Sequence, residues 1–349
     1  MIYLMFHDDW EIYGDGTGDP DHLMFDPAKR ILDICDTYRA KYTIYAEIGQ
    51  QLNMLDAIGS TKWCKYAKTW EDILKDAIQR GHDVQLHFHP QWIGAELKND
   101  AWQLDYSKWN TGRLSYELLD DWIGKGVLYL RNLLKPISSD YNVVSYRAGG
   151  WMCQPSTNLY KALKKNGIIS DASVIKGRYA EFSDGGKIDF RYAHSKFEPW
   201  EVDPDDFARE RKGSGLWEFP VYSEVSGLPH TVYLLNKSFR PLYYYKIFRK
   251  RRIQKGGGDY SPKTIKTADK KDYYGSFGYM HYKHLLSFLN DVKSNSVNET
   301  ADTHLIFLTH SKSFLNFPNF DRLLVNLKRF PDVNFTTTRH YIFDFISRQ

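Results

Sequence analysis

The sequence predicts an α/β fold: a distorted or incomplete (β/α) barrel formed by the single span 1–349, with an insertion at about 176–275. Three observations carry that expectation. Short apolar runs alternate with stretches of helical periodicity over most of the chain. Four of those runs end in side chains that bind metals or move protons: Phe6-His7-Asp8-Asp9, Leu86-His87-Phe88-His89, Ser145-Tyr146-Arg147-Ala148-Gly149-Gly150-Trp151 and Phe307-Leu308-Thr309-His310. The rhythm changes only between about 175 and 275, and no repeat or linker divides the rest. Parallel strands bring their C-terminal ends to one face, so these distant groups are expected in one site.

Taken in order, Ile2 to Phe6 reads as a strand, and Asp26 at the cap with Pro27 in the first turn opens a helix to Tyr38. Tyr42 to Tyr45 is the second strand. Trp70 to Arg80 sets Ile73, Leu74, Ala77 and Ile78 at helical spacing between Thr69 and Gly81. Val84 to His89 is the third strand, Ser115 to Leu134 a long helix, Val143 to Arg147 a strand, and Ser156 to Asn166 a helix closed by Gly167. The following strand, from Ile168, ends at Asp171. Asp184-Gly185-Gly186 between Phe182 and Ile188 predicts a hairpin, with further strands at Leu216 to Val221 and Thr231 to Leu235. Lys255 to Lys271, with Gly256-Gly257-Gly258, predicts a mobile loop. Regularity returns with helix Tyr279 to Lys293, strand His304 to Thr309, helix Phe320 to Phe330, strand Val333 to Thr336 and helix Tyr341 to Ser347.

A chain of 349 residues can bury a large core. Its net charge of +4 is not the balance of a nucleic-acid binder. Aromatic residues make up 16%, and their flat apolar faces with polar tips suit sugar rings as well as cores. Cys35, Cys64 and Cys153 have no CxxC spacing and leave one over, which argues against a disulfide framework. The opening Met1-Ile2-Tyr3-Leu4-Met5-Phe6 lacks a basic leader and a long apolar stretch, and no segment approaches the roughly 20 apolar residues of a membrane span. A cytoplasmic location is expected on that ground.

The chemistry explains why such residues would be grouped. A bound divalent cation lowers the pKa of its water to about 7, and three protein ligands leave a position open for it. His87 and His89 are two apart, so on a strand both point to the same side. Asp8 and Asp9 would face opposite ways in a strand, and both enter one site only if the chain turns there.

Together, Asp8-Asp9 after the first strand, the histidine pair after the third, an Arg-x-x-Gly stretch and a late Leu-x-His resemble the polysaccharide deacetylases, the NodB-like carbohydrate esterases. The likeness runs in order over nearly the whole chain and is least from about 175 to 300. The His-Phe-His-Pro form and the missing secretion signal look most like the branch associated with lipopolysaccharide and O-antigen biosynthesis. The resemblance implies a barrel of that type and a metal-dependent hydrolase that removes an N-acetyl or similar acyl group from a nucleotide-linked or polyprenyl-linked sugar. It implies Asp9, His87 and His89 as ligands of a divalent metal ion, with Zn2+ expected. Asp8 would be the general base, paired with Arg147, and His310 the general acid. Trp151, Trp10 and Asp171 would serve the substrate, Asp171 also orienting His310.

The commoner family pattern spaces its ligand histidines four apart, so either the metal geometry differs here or another ligand enters, for which His7 is the candidate. A hydrolase of another amide such as N-formyl, and a non-catalytic carbohydrate-binding or scaffold protein on the same fold, stay open as alternatives. The aromatic and basic run 239–252 would suit contact with an anionic membrane surface at the inner membrane, or a solvated basic helix.

Overall fold

The computed structural model describes residues 1–229, 262–295, 302–314 and 316–348. Along the chain run β1 (Ile2–Trp10), α1 (Asp26–Tyr38), β2 (Tyr42–Glu47), α2 (Ile48–Asp56), α3 (Thr61–Gln79), β3 (Asp83–Phe88), α4 (Tyr116–Leu134), β4 (Ser145–Ala148), α5 (Thr157–Lys165) and β5 (Ser170–Asp171). Then come β6 (Trp200–Asp203), β7 (Asp206–Glu210), β8 (Trp217–Glu218), α6 (Tyr282–Asn295), β9 (Thr303–Thr309), α7 (Phe317–Leu327), β10 (Val333–Phe335) and α8 (Thr338–Ile346). These strands form one sheet in the order β7-β6-β8-β5-β4-β3-β2-β1-β9, with β10 paired to the start of β1. From β8 to β9 every neighbouring pair is parallel, so the strand ends collect on one face as expected.

The sheet curls on itself, and an irregular segment spans the remaining gap. Phe219 N–H donates to Asp171 O and Val221 N–H to Val174 O, while the neighbouring Tyr222 N–H donates to Ile306 O. Residues 217–222 therefore link β5 to β9, and the architecture is the distorted, incomplete barrel that the sequence predicts. Two apolar layers result. Between sheet and helices lies the larger core, in which α3 buries Trp63, Tyr66, Ala67, Trp70, Ile73, Leu74, Ala77 and Ile78 at helical spacing. Burying a side chain the size of Ile73, Leu74 or Ile78 contributes about 1.5–3 kcal/mol. Inside the curl sits a smaller cluster that includes Met5, Val144, Ile175, Phe219, Ile306 and Leu308. It forms the floor on which the site rests.

Three departures from the sequence reading bear on function. β1 continues four residues beyond Phe6, to Trp10. Helix α2, not anticipated, starts where the Glu47 carboxylate accepts hydrogen bonds from Gly49 N–H and Gln50 N–H. In the insertion, the hairpin of Tyr179–Phe182 and Lys187–Asp189 forms, but Thr264–Thr267 adds to it as a strand where a loop was expected. A second pair, Ser223–Pro229 with Lys270–Tyr274, lies against the site. The expected strand Thr231 to Leu235 and the basic run 239–252 lie outside the described residues. All three cysteines are free thiols. No described helix is long and apolar enough to cross a membrane.

Candidate functional site

Because β1 stays extended through Trp10, its side chains alternate and the two aspartates part company. His7, Asp9 and Glu11 point into the curl. Asp8 points to the other side, where its carboxylate accepts hydrogen bonds from Ser311 N–H (2.7 Å) and the Ser311 hydroxyl. Burial pushes Asp8 up to about 7, only partly offset by those bonds. The expectation that Arg147 pairs with Asp8 is corrected: Arg147 Nη1 donates to Asp9 Oδ1 at 2.6 Å. The turn that would have brought both aspartates into one site does not occur at these residues.

Arg147 is wholly buried at the centre of the site. Its Nε donates to Ala172 O (2.8 Å), its Nη2 to His7 Nδ1 (2.8 Å), and its plane lies 4.0 Å from the Tyr45 ring centroid. His7 is held well below the usual imidazole range by burial and by the Arg147 charge, so it is neutral. With Nδ1 accepting from Arg147, its Nε2–H donates to Thr338 Oγ1 at 2.8 Å. His7 therefore serves Arg147 with one nitrogen and Thr338 with the other, and neither is free to ligate. Burial alone would raise Asp9, but the Arg147 charge, with the His87 and His310 imidazoles beside it, outweighs burial and the net direction is down. Asp9 Oδ2 faces His310 Nε2 at 3.6 Å.

The metal-ligand grouping that the structure assembles is Glu11, His87 and His89, whose donor atoms all lie within 4.8 Å of one another. Asp9, expected as the third ligand, stands outside that grouping, its Oδ1 bonded to Arg147 and its Oδ2 facing His310. His87 Nδ1–H donates to Arg147 O (2.9 Å), which leaves Nε2 as a lone pair, and that buried atom has no partner. It faces Glu11 Oε2 at 3.9 Å, while His89 Nε2 lies 2.9 Å from the same oxygen. Around a tetrahedral cation with bonds near 2.1 Å, donor atoms sit about 3.4 Å apart, so these separations bracket the requirement. Burial lowers His89, but the Glu11 charge outweighs it and the net shift is up. Glu11 would be raised by burial, yet His89 and Lys312 carry it well below the usual range. Gln91 Nε2 donates to His89 Nδ1 (3.0 Å) while Gln91 Oε1 is buried without a partner. Turning that amide over would let Oε1 accept from Nδ1–H and free His89 Nε2 to ligate, at the loss of the Gln91 Nε2 bond to Gly14 O (3.3 Å). An orphaned imidazole nitrogen, a second imidazole and an ionised carboxylate fit a divalent cation.

The surrounding shell holds these groups in place. Glu47 Oε1 accepts from His89 N–H at 2.8 Å. Gly149 packs flat on the His89 ring: a Cβ there would come within 2.5 Å of it. Gly150 and Trp151 both take positive φ, at 59° and 65°, and the turn places the half-buried Trp151 indole at the mouth. Arg178 lies over Trp151 at 5.3 Å and Tyr274 over it at 6.1 Å, so the insertion supplies part of this wall. His310 and Lys312 reach solvent in part, their side chains being 21% and 14% exposed.

Two further expectations are corrected. Trp10 faces the outer core, packed on Phe25 and Trp70 with its Nε1–H donating to Met24 O at 3.1 Å, because the even-numbered side of β1 meets the helices. Asp171 is fully buried, accepts from Ser173 N–H and Ser173 Oγ–H at 2.9 Å each, and is hydrogen-bonded to Glu218. It braces the floor beside Arg147, with no contact to His310. Glu11 is the residue sequence reasoning missed, although Ile2, Leu4, Phe6, Trp10 and Ile12 continue one apolar register that puts Glu11 beside His7 and Asp9.

No family model matches the sequence, and no curated relative does. Among solved structures, the chain is similar to a Mycobacterium smegmatis protein assigned as a polysaccharide deacetylase, at TM-score 0.49 and 12% identity, over 99% of this chain and 91% of that one. It is similar to Puue allantoinase at TM-score 0.46 and 10% identity, over 97% and 87%. It is also similar to the catalytic domain of peptidoglycan N-acetylglucosamine deacetylase from Eubacterium rectale at TM-score 0.39 and 11% identity, over 97% and 88%.

Proposed function

We propose that this chain is a metal-dependent hydrolase that removes an N-acetyl or similar acyl group from a sugar. One observation carries the reading: Glu11, His87 and His89 converge with an orphaned His87 Nε2, directly beside an Asp9–Arg147 pair and His310. Glu11, His87 and His89 would hold a divalent cation, Zn2+ being the best match to two imidazoles and a carboxylate. When bound, the cation supplies Lewis acidity that activates water and polarises an acyl carbonyl.

The remaining work falls to the chain's own side chains. Asp9 is the general base in place of Asp8: Arg147 fixes Oδ1, and Oδ2 is free to take a proton from the attacking water. His310, pushed down to about 4 chiefly by burial, is neutral at rest, so it acts as an acid only after receiving that proton from Asp9 across the 3.6 Å gap. The water oxygen bonds to the acyl carbon, the C–N bond breaks, and the nitrogen leaves as an amine with the proton passed through His310. Trp151 offers its face to the sugar ring.

The finer reading is a single domain over 1–349, cytoplasmic, acting on a nucleotide-linked or polyprenyl-linked N-acylated sugar in lipopolysaccharide or O-antigen assembly. It is supported by the order of the four motifs and the His87-Phe88-His89-Pro90 form. The test is release of acetate from N-acetyl sugars by zinc-loaded protein. Sugar binding without release, unchanged by a chelator, would mean a binding protein instead.

A further inference from the structure

The run that follows β9 meets three acids, Asp8 and Asp9 of β1 and Glu11 just after it, one residue to each. His310 Nε2 lies 3.6 Å from Asp9, Ser311 donates to Asp8, and Lys312 Nζ donates to Glu11 Oε1 at 2.6 Å and to Ile12 O at 3.2 Å. The two oxygens of Glu11 therefore face different partners. Oε2 looks toward the imidazoles of His87 and His89, while Oε1 is covered by the ammonium.

We propose that Lys312 is a positioning residue that holds Glu11 to one-oxygen coordination of the cation, an inference that rests on Glu11, His87 and His89 being its ligands. A carboxylate with both oxygens free can bind a divalent cation through one of them or through both. Here a charge-assisted bond, at a glutamate side chain only 6% exposed, keeps one oxygen engaged. That leaves a coordination position for water and substrate that a two-oxygen Glu11 would fill. The ammonium also repels the cation while it orients its ligand. These effects oppose each other in affinity, so coordination mode is the sharper readout.

The experiment titrates Co2+ into the metal-free full-length protein and reads its visible absorption, whose intensity falls as coordination number rises. Wild type and Lys312→Arg, which keeps a donor for Oε1, are expected to absorb alike, and Lys312→Met to lose about half the intensity at saturation. Lys312→Ala is read in the same way if Lys312→Met does not fold. An unchanged spectrum in the variants lacking the ammonium overturns the proposal. Failure of wild type itself to bind Co2+ overturns the metal reading, and this inference with it.

Discussion

Asp8→Asn separates the two neighbouring aspartates. The folded protein holds Asp8 at about 7 through burial, against an ordinary 3.8. That gap corresponds to roughly 4 kcal/mol. The carboxyl is protonated in the folded state where the unfolded chain is already ionised. Its contribution is therefore fully present below pH 3.8, is lost as pH rises toward 7, and is level above that. Asparagine is neutral throughout, accepts from Ser311 N–H through Oδ1 and donates to the Ser311 hydroxyl through Nδ2. Between pH 5 and pH 8 the variant should gain about 2.5 kcal/mol of stability relative to wild type. Urea unfolding of metal-free protein followed by tryptophan fluorescence at both pH values measures this. Zinc binding and turnover should persist, because Asp8 faces away from the site. An identical pH dependence in the two proteins, or loss of metal with Asp8→Asn, would refute the reasoning.

The remaining expectations follow from the same geometry. Asp9→Asn should reduce deacetylation by 10²–10⁴-fold while leaving zinc affinity within a few-fold, measured by acetate release and by competition with a chromogenic chelator. Gly149→Ala should weaken zinc binding by about 10–100-fold, since the added methyl displaces the His89 ring, and the same competition assay reads it. Arg147→Lys loses the fork that joins Asp9, His7 and Ala172, and should lower unfolding stability by about 3–5 kcal/mol in urea. Trp151→Ala should raise KM on sugar substrates with zinc content unchanged.

How much of this was legible in the sequence depended on the kind of signal. Parallel order and the convergence of His87, His89, Arg147 and His310 followed from apolar runs and their ends, because period-2 patterning and turn residues are local. The length of β1 is harder to read, since the acidic residues after Phe6 leave a turn open although the even-numbered apolar register continues through Trp10 and Ile12. That one misplacement moved Asp8 into the expected site, left Glu11 out of it and turned Trp10 the wrong way. Helix α2 stayed hidden because its cap is a buried glutamate, Glu47, shared with the His89 backbone, which is a tertiary arrangement. The role of the insertion in walling the site through Arg178 and Tyr274 likewise depends on contacts remote in sequence.

Zinc stoichiometry and affinity of wild type, Glu11→Gln and Asp9→Asn, measured side by side by elemental analysis and chelator competition, test the central claim most directly. Wild type and Asp9→Asn should each hold one ion per chain, and Glu11→Gln should lose it. Full occupancy in Glu11→Gln together with loss in Asp9→Asn would contradict the account.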